Sequence, residues 1–470
     1  MPNILLFNPP GPAGKGYTRE GRCTQEAGVW GTVWPPVTLA TAAALLREQG
    51  HAVTVLDCSA TGMSMAGLET VVRRLKPDLA VWNTGTPTLA WDLRLGAHVK
   101  TWSNKTVTGV MGTHVTAQPE PALAAPGIDA VIRREPEAVI AAMARGLPDD
   151  WRTVAGISYL NSATGAPVHN PDADFLPPES IPAPAWDTLD LSPYRLPLKG
   201  RHFVIVAPIR GCPFSCTFCT APVYYGKRLR KRPVAAVVDE MVQNVRRFAI
   251  RDFFIWADTF TADRGYVAEF CHAVRHRLPG PVAWTCNSRV DTVDAELLAL
   301  MKSAGMWMIS FGIESANDRI LSACGKRISR AQSEAAVRAA AALGIKVSGH
   351  FIFGLPGESR ASMRETLAFA LSLPLDIAQF YTAAAFPGTR LYSDAQAAGW
   401  FSPDTGQDQH RSMMHLPGLS AATIDRFRES AFRRFYARPS ALWRLARMVE
   451  PPAIRNVITN LKGFFTWAKQ

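Results

Sequence analysis

Short apolar runs alternate with longer stretches of helical period along most of this chain. From residue 3 the runs are NILLF, AVTVL (Ala52 to Leu56), DLAVW (Asp78 to Trp82), TVTGV (Thr106 to Val110) and DAVIR (Asp129 to Arg133), parted by helix-period segments around residues 36 to 49, 64 to 75, 89 to 101 and 136 to 145. Brief apolar strands separated by helices predict an α/β domain over 1–150 with a doubly wound parallel sheet. Sheets of that kind bind ligands in the crevice outside the carboxyl ends of their strands. The stretch HNPDADFLPPESIPAPAWDTLDLSPY has no sustained period and is rich in Pro and Asp, which places an extended linker over 151–200. A second alternation follows over 201–410, with strands FVIVAPI, DFFIWA, PVAWTCN, WMISFGI, KVSGHFIF and DIAQFYTA. Six strand-helix units are too few for an eightfold barrel and predict an open, partial (β/α)6 one, with function in the loops after the strands. Residues 411–470 have helical spacing broken at Pro439 and predict a small helical C-terminal cap.

Composition narrows the classes. Apolar residues make up 47% and charged residues 19%, far from the disordered regime. The longest apolar runs, such as PPVTLATAAALL, are interrupted well short of the roughly 20 residues a bilayer requires, so no transmembrane segment is expected. MPNILLFNPPGPAG reads as a strand entering a loop rather than a signal peptide, which makes the cytoplasm the expected compartment. Clustered cysteines there are more often metal ligands or catalysts than disulfides. The net charge of +12 is concentrated in Lys227 to Arg232 and Arg426 to Arg447, read as solvated helix faces, and no nucleic-acid motif accompanies it.

Chemistry enters at RGCPFSCTFCTAPVYYG, Arg210 to Gly226. Cys212, Cys216 and Cys219, three of eight cysteines, stand at C-x3-C-x2-C spacing in the loop after the first barrel strand. A structural zinc wants a closed set of four ligands, and no fourth lies at finger-like spacing. A cubane iron-sulfur cluster usually takes four thiolates, so three leave one iron open. Zinc and a chance grouping are the competing readings.

With Phe218 before its last cysteine, this motif resembles the signature of the radical S-adenosylmethionine (SAM) superfamily. The resemblance implies a 4Fe-4S cluster held by Cys212, Cys216 and Cys219. It further implies that the open iron chelates the amino and carboxylate groups of SAM, and that an electron from the cluster splits the sulfonium to a 5'-deoxyadenosyl radical. Other strand ends match it in order. WADTFTADR places Asp258 and Thr259 where many members carry Gly-Gly-Glu. CNSRVD supplies Asn287, Ser288 and Arg289, the last suited to a bidentate pair with the SAM carboxylate. FGIESAND supplies Glu314 for the ribose or amine. GHFIFGLPGES supplies Gly354, Leu355 and Gly357 for close approach to the adenine.

The doubly wound sheet ahead of such a barrel resembles the cobalamin-binding subclass, implying a Rossmann-like cobalamin domain followed by a TIM-like radical SAM barrel. The Asp-x-His-x-x-Gly motif that gives cobalt a histidine is absent. The match rests on FNPPG, VWPPVTLATAAALLREQGH, NTGTPT, VMGTHVTAQPE and IDAVIRREPE, with Arg134 where the subclass usually has Gly. Asn83, Thr84, Gly85 and Thr86, within the loop Asn83 to Thr88, and Gly112, Thr113 and His114, within Gly112 to Thr116, would line the crevice for the corrin tail. A degenerate scaffold without the corrin is the alternative.

Nearly the whole chain is similar to the branch containing the anaerobic magnesium-protoporphyrin monomethyl ester cyclase and related C-methyltransferases. YYGKRLRKRP, DTFTADR and FYARP carry that likeness. The leading expectation is a cobalamin-dependent radical SAM C-methyltransferase acting at an unactivated carbon, with methylcobalamin as methyl donor to a substrate radical. The alternatives are an anaerobic oxidative cyclase or ring-remodelling enzyme with the same cofactors and, from another class, a non-catalytic cobalamin or metal-binding module. A methylthiotransferase would need a second cysteine triad in the N-terminal domain, which holds Cys23 and Cys58 alone. The expected partners are a small-molecule substrate, of tetrapyrrole, terpenoid or other secondary-metabolite type, and an electron donor such as flavodoxin or ferredoxin. Tyr224, Tyr225 and Lys227 to Arg232 are read either as facing that substrate or as an exposed helix start, and Cys286 is the remaining cysteine to watch.

Overall fold

The computed structural model describes residues 1–21, 23–26, 33–401 and 410–454. The chain divides into two compact units, one formed by 1–194 with 220–226 and the other by 195–219 with 227–470.

In the first unit, strands β1 (Asn3–Asn8), β4 (Ala52–Asp57), β5 (Leu79–Asn83), β6 (Val107–Met111) and β7 (Ala130–Ile132) are mutually parallel, in the order β4-β1-β5-β6-β7. Alternate residues of β1 feed two separate cores. Ile4 and Leu6 pack with Leu39, Leu46 and Ile140, while Leu5 and Phe7 pack with Leu68, Val72 and Val99. Helices therefore cover both faces, which is why these strands read as unbroken apolar runs. A short antiparallel hairpin, β2 (Tyr17–Glu20) and β3 (Cys23–Glu26), is inserted between β1 and the helix Val37–Glu48. The expected linker differs from what is found. Its first part contains β8 (Ile157–Leu160) and β9 (Pro167–His169), which extend the sheet antiparallel beyond β7. Strands of three and four residues around an exposed turn are too short to show alternation.

In the second unit, β10 (Phe203–Val206), β13 (Asp252–Ile255), β14 (Ala283–Ser288), β15 (Met306–Glu314), β16 (Lys346–Phe353) and β17 (Ile377–Thr382) form one parallel sheet in sequence order. This is the expected six-stranded open barrel. A two-stranded ribbon, β11 (Ile209–Arg210) with β12 (Arg230–Lys231), flanks the cysteine loop. Several helices begin on a side chain that accepts from their first-turn amides: Asp263, Asp294, Asn317, Ser329 and Ser359. Each therefore starts sharply after the loop that precedes it. Helices Ala421–Tyr436 and Pro439–Ala446 form the described part of the C-terminal region, and the expectation for 455–470 lies outside the described residues. No helix among the described residues is long and apolar enough to cross a membrane.

Candidate functional site

The cysteine loop runs from Gly211, at φ +86°, to Cys219 and is braced by backbone from two directions. The Thr217 amide donates to the Cys324 carbonyl at 2.9 Å, and the Leu391 amide donates to the Thr217 carbonyl at 2.9 Å. Gly325, at φ +70°, lies against the loop so closely that a Cβ would fall 2.4 Å from the Ser215 carbonyl oxygen. Phe218 packs on a cluster containing Ile320, Leu355 and Leu391. Cys212 is buried, Cys216 and Cys219 are half-buried, and all three are free thiols. Burial pushes the Cys216 thiol up to about 12. Among the described residues no three His, Cys, Asp or Glu side chains gather on a point that one ion could occupy. A donor set of three separate soft sulfurs suits a multi-iron cluster, in which each thiolate takes its own iron.

The other strand ends surround this loop. Thr259 is buried, and its hydroxyl lies 3.8 Å from the Cys212 sulfur while donating to the Asp258 carbonyl. Asp258 is half-buried beside it. Ser288 shares a hydroxyl cluster with Thr261, which also meets Thr292 at 2.6 Å. Arg289 was expected to fork onto a ligand carboxylate, but its fork is already engaged. It grips Asp291 through two 2.8 Å bonds, donates to the Lys326 carbonyl at 2.7 Å, stacks 3.8 Å above the Phe214 ring and reaches the Cys216 sulfur at 3.8 Å. Asp291 follows two residues later, so a local pair satisfies the planar donor before any ligand arrives. Asn287 is half-buried one residue before Ser288. Glu314 ends β15 in the left-handed region, at φ +65°, and accepts from the Lys326 ammonium at 2.8 Å. Gly312 leaves room for that pair, since a Cβ there would fall 2.6 Å from the carboxylate and 2.8 Å from the ammonium.

Gly354 and Gly357 hold φ of +85° and +82°, and Leu355 is fully buried. Their turn is held from within by Glu358, whose Oε2 accepts from the Gly354 amide at 2.5 Å and the Leu355 amide at 3.3 Å. Glu358 is 5% exposed, and burial pushes its carboxyl up to about 8.

In the first unit the strand order reverses between β1 and β5, so the ligand crevice of this topology opens at the loops after those strands. The loop after β5 holds Asn83, Thr84, Gly85 and Thr86, and the loop after β6 holds Gly112, Thr113 and His114. Much of their polarity is spent internally. Arg19 and Asp92, both without side-chain exposure, pair at 2.9 Å, and the Thr84 and Thr88 hydroxyls donate to the same Asp92 carboxylate. Asn83 donates to the Arg19 carbonyl. The His114 Nδ1 meets the Thr86 hydroxyl at 3.0 Å, and burial pushes the imidazole down to about 4, leaving it neutral at ordinary pH. What remains unspent is the Asn83 Oδ1, buried without a hydrogen-bond partner among the described residues. Gly112, at φ +140°, packs beside it where a Cβ would fall 2.0 Å from the Thr84 carbonyl oxygen. An orphaned acceptor next to a bare glycine fits a ligand carrying amide donors, as the corrin periphery does.

Arg134 shows why Gly is usual at its position. It sits at φ +63° and is held there by its backbone amide, which donates to the Thr116 hydroxyl, by an ion pair with Asp172 and by its guanidinium over the Phe175 ring at 4.3 Å. Of the two readings of Tyr224 and Tyr225, the exposed helix start is corrected. Helix Ala221–Tyr225 is part of the first unit and buries both rings, while Lys227 to Arg232 lead into β12 rather than a helix. Cys286 is fully buried within β14. Lys326, Glu358, Thr261 and Asp291 were not foreseen. Lys326 lies in an irregular turn with no periodic signal, whereas Glu358, one residue beyond Gly-Leu-Pro-Gly, was legible as the brace of a glycine turn.

Family models match in two places: the B12 binding domain over residues 27–144 and the radical SAM superfamily over 206–370. An uncharacterised methyltransferase of Pyrococcus horikoshii is 33% identical over 425 residues, covering 88% of this chain and 90% of that protein. The anaerobic magnesium-protoporphyrin IX monomethyl ester cyclase of Cereibacter sphaeroides is 28% identical, covering 77% of this chain and 60% of the cyclase. In fold, the chain superposes with a TM-score of 0.70 and 16% identity on the radical SAM methyltransferase TsrM of Kitasatospora setae, solved with cobalamin and a [4Fe-4S] cluster, over 96% of this chain and 90% of that one.

Proposed function

The chain belongs to the cobalamin-binding branch of the radical SAM superfamily, and from that premise we propose that it is a C-methyltransferase acting on a carbon with neither acidity nor nucleophilicity. The observation that carries this reading is a relative named as a methyltransferase that matches along nine-tenths of its own length, both modules included. When bound, the 4Fe-4S cluster, SAM and cobalamin supply the radical and methyl-transfer chemistry that side chains cannot.

The chain's own residues bind and orient. Cys212, Cys216 and Cys219 hold the cluster as thiolates, and Thr259 stands beside the first of them. Asp258, Ser288 and Glu314 supply polar contacts for SAM, and the turn Gly354, Leu355 and Gly357 presents backbone to its adenine. Arg289, with its fork occupied, orients the Cys216 side of the loop instead of gripping a carboxylate. Asn83, Gly112, Thr113 and His114 face the corrin, His114 as a neutral imidazole. A low-potential donor of flavodoxin or ferredoxin type delivers the electron, and the acceptor of the methyl group is a small molecule, of tetrapyrrole, terpenoid or related secondary-metabolite type.

The cyclase relative supports a second reading, oxidative ring formation without methyl transfer. One experiment separates the two. Anaerobically reconstituted enzyme, given methyl-labelled SAM and candidate acceptors, places label in the product if it is a methyltransferase. A product gained without label establishes the cyclase reading. Cys216→Ala is expected to abolish 5'-deoxyadenosine formation altogether.

A further inference from the structure

Lys326 and Glu314 form a buried ion pair behind the cysteine loop; the reading above uses Glu314 as a polar contact for SAM but gives Lys326, and the pair as a unit, no role. Lys326 is 6% and Glu314 7% exposed, and they meet at 2.8 Å. Three links fix the pair to the loop. Gly325, the residue before Lys326, packs on the Ser215 carbonyl, the neighbour of Cys216. The Lys326 carbonyl accepts from Arg289, whose other amine reaches the Cys216 sulfur. The Cys324 carbonyl accepts from the Thr217 amide, the residue after Cys216. The pair is thus held by backbone, and its charges act on Cys216 from fixed positions. Glu314 keeps its place at a positive φ, a strained backbone for a residue other than Gly.

We propose that the Glu314–Lys326 pair sets the reduction potential of the cluster bound by Cys212, Cys216 and Cys219, Lys326 raising it and Glu314 lowering it. This rests on the cluster assignment above. The physical reason is Coulombic. A cluster on three thiolates gains one negative charge when it accepts one electron from a low-potential reductant, with no bond made or broken in that step. A neighbouring cation favours the extra charge and a neighbouring anion opposes it, and neither is well screened when buried. Arg289 carries its own counter-ion, Asp291, so its contribution is partly cancelled within that pair.

The signs give the test. Reconstituted full-length enzyme is poised with dithionite and mediators under anoxic conditions, and the reduced cluster is followed by EPR. Glu314→Gln leaves Lys326 unopposed and is expected to favour the reduced cluster about tenfold, an upward shift of about 59 mV for one electron. Lys326→Met leaves Glu314 unopposed and is expected to shift the potential downward by a similar factor. The double variant removes both charges and is expected to return within about threefold of the parent equilibrium. Shifts in the same direction, or single-variant shifts below about threefold with full cluster content, overturn the proposal. Loss of the cluster from all three variants also overturns it, because the pair is then a structural requirement. Iron and sulfide analysis of the parent is the separate check on the cluster itself: a parent without iron sinks the underlying reading, whereas a loaded parent with unshifted variants sinks this inference alone.

Discussion

Two loop regions, one in each unit, bury their charge in opposite ways. In the first, the crevice loops of the sheet are tied by Arg19 and Asp92, an ion pair with no side-chain exposure that also consumes the Thr84 and Thr88 hydroxyls. In the second, Glu358 is buried on two backbone amides, and among the described residues its Oε1 has no partner. The first arrangement fixes loop shape with matched charges. The second holds a glycine turn with a carboxyl that burial makes reluctant to ionise. A ligand site can therefore be stiffened by spending its polar groups or by straining one of them.

The largest expected effect breaks the first arrangement. Asp92→Ala strands a buried guanidinium and should cost about 3–5 kcal/mol in urea unfolding of the metal-free protein. A loss below 1 kcal/mol would show that water reaches Arg19.

Glu358→Gln sharpens the second arrangement through pH. Because the folded carboxyl is raised from 4.5 to about 8, stability is greatest while the group is protonated in both states and falls as pH rises through that window. Between pH 5.5 and 8.5 the parent should lose about 3 kcal/mol that the Gln variant keeps. Parallel curves would mean that the two amides stabilise the anion fully.

The smallest effect is at Arg134. Arg134→Gly relieves a left-handed backbone but gives up a part-exposed ion pair and a cation over Phe175, so stability should change by less than about 1 kcal/mol. A thermal-melt shift well beyond that would give the Asp172 contact a structural role.

How far the sequence could be read follows from the same contrast. The apolar runs marked the strands of both parallel sheets because strands covered on two faces must be apolar throughout, as Ile4 to Phe7 show. The cysteine spacing was legible because it is local. What escaped was decided by residues far apart in the chain. CNSRVD holds the Asp291 that occupies the Arg289 fork, but it does not show the distant partners, the Cys216 sulfur and the Lys326 carbonyl. The small polar residues of NTGTPT suggested an open lining, yet the Thr84 and Thr88 hydroxyls serve Asp92 a few residues on, and Thr88 also accepts from Arg19 of the distant hairpin. The strands β8 and β9 were too brief to rise above a proline-rich background.

The helix Ala221–Tyr225 is assigned to the first compact unit although the chain on both sides of it belongs to the second. The polypeptide therefore crosses between modules three times, immediately after the last cysteine among other places. Neither body can be cut out as one continuous piece without unseating Ala221 and Tyr224, which have no solvent exposure. Exchanging the N-terminal module with that of a relative must carry this five-residue insert along, because the two modules are interlaced in the chain rather than laid end to end.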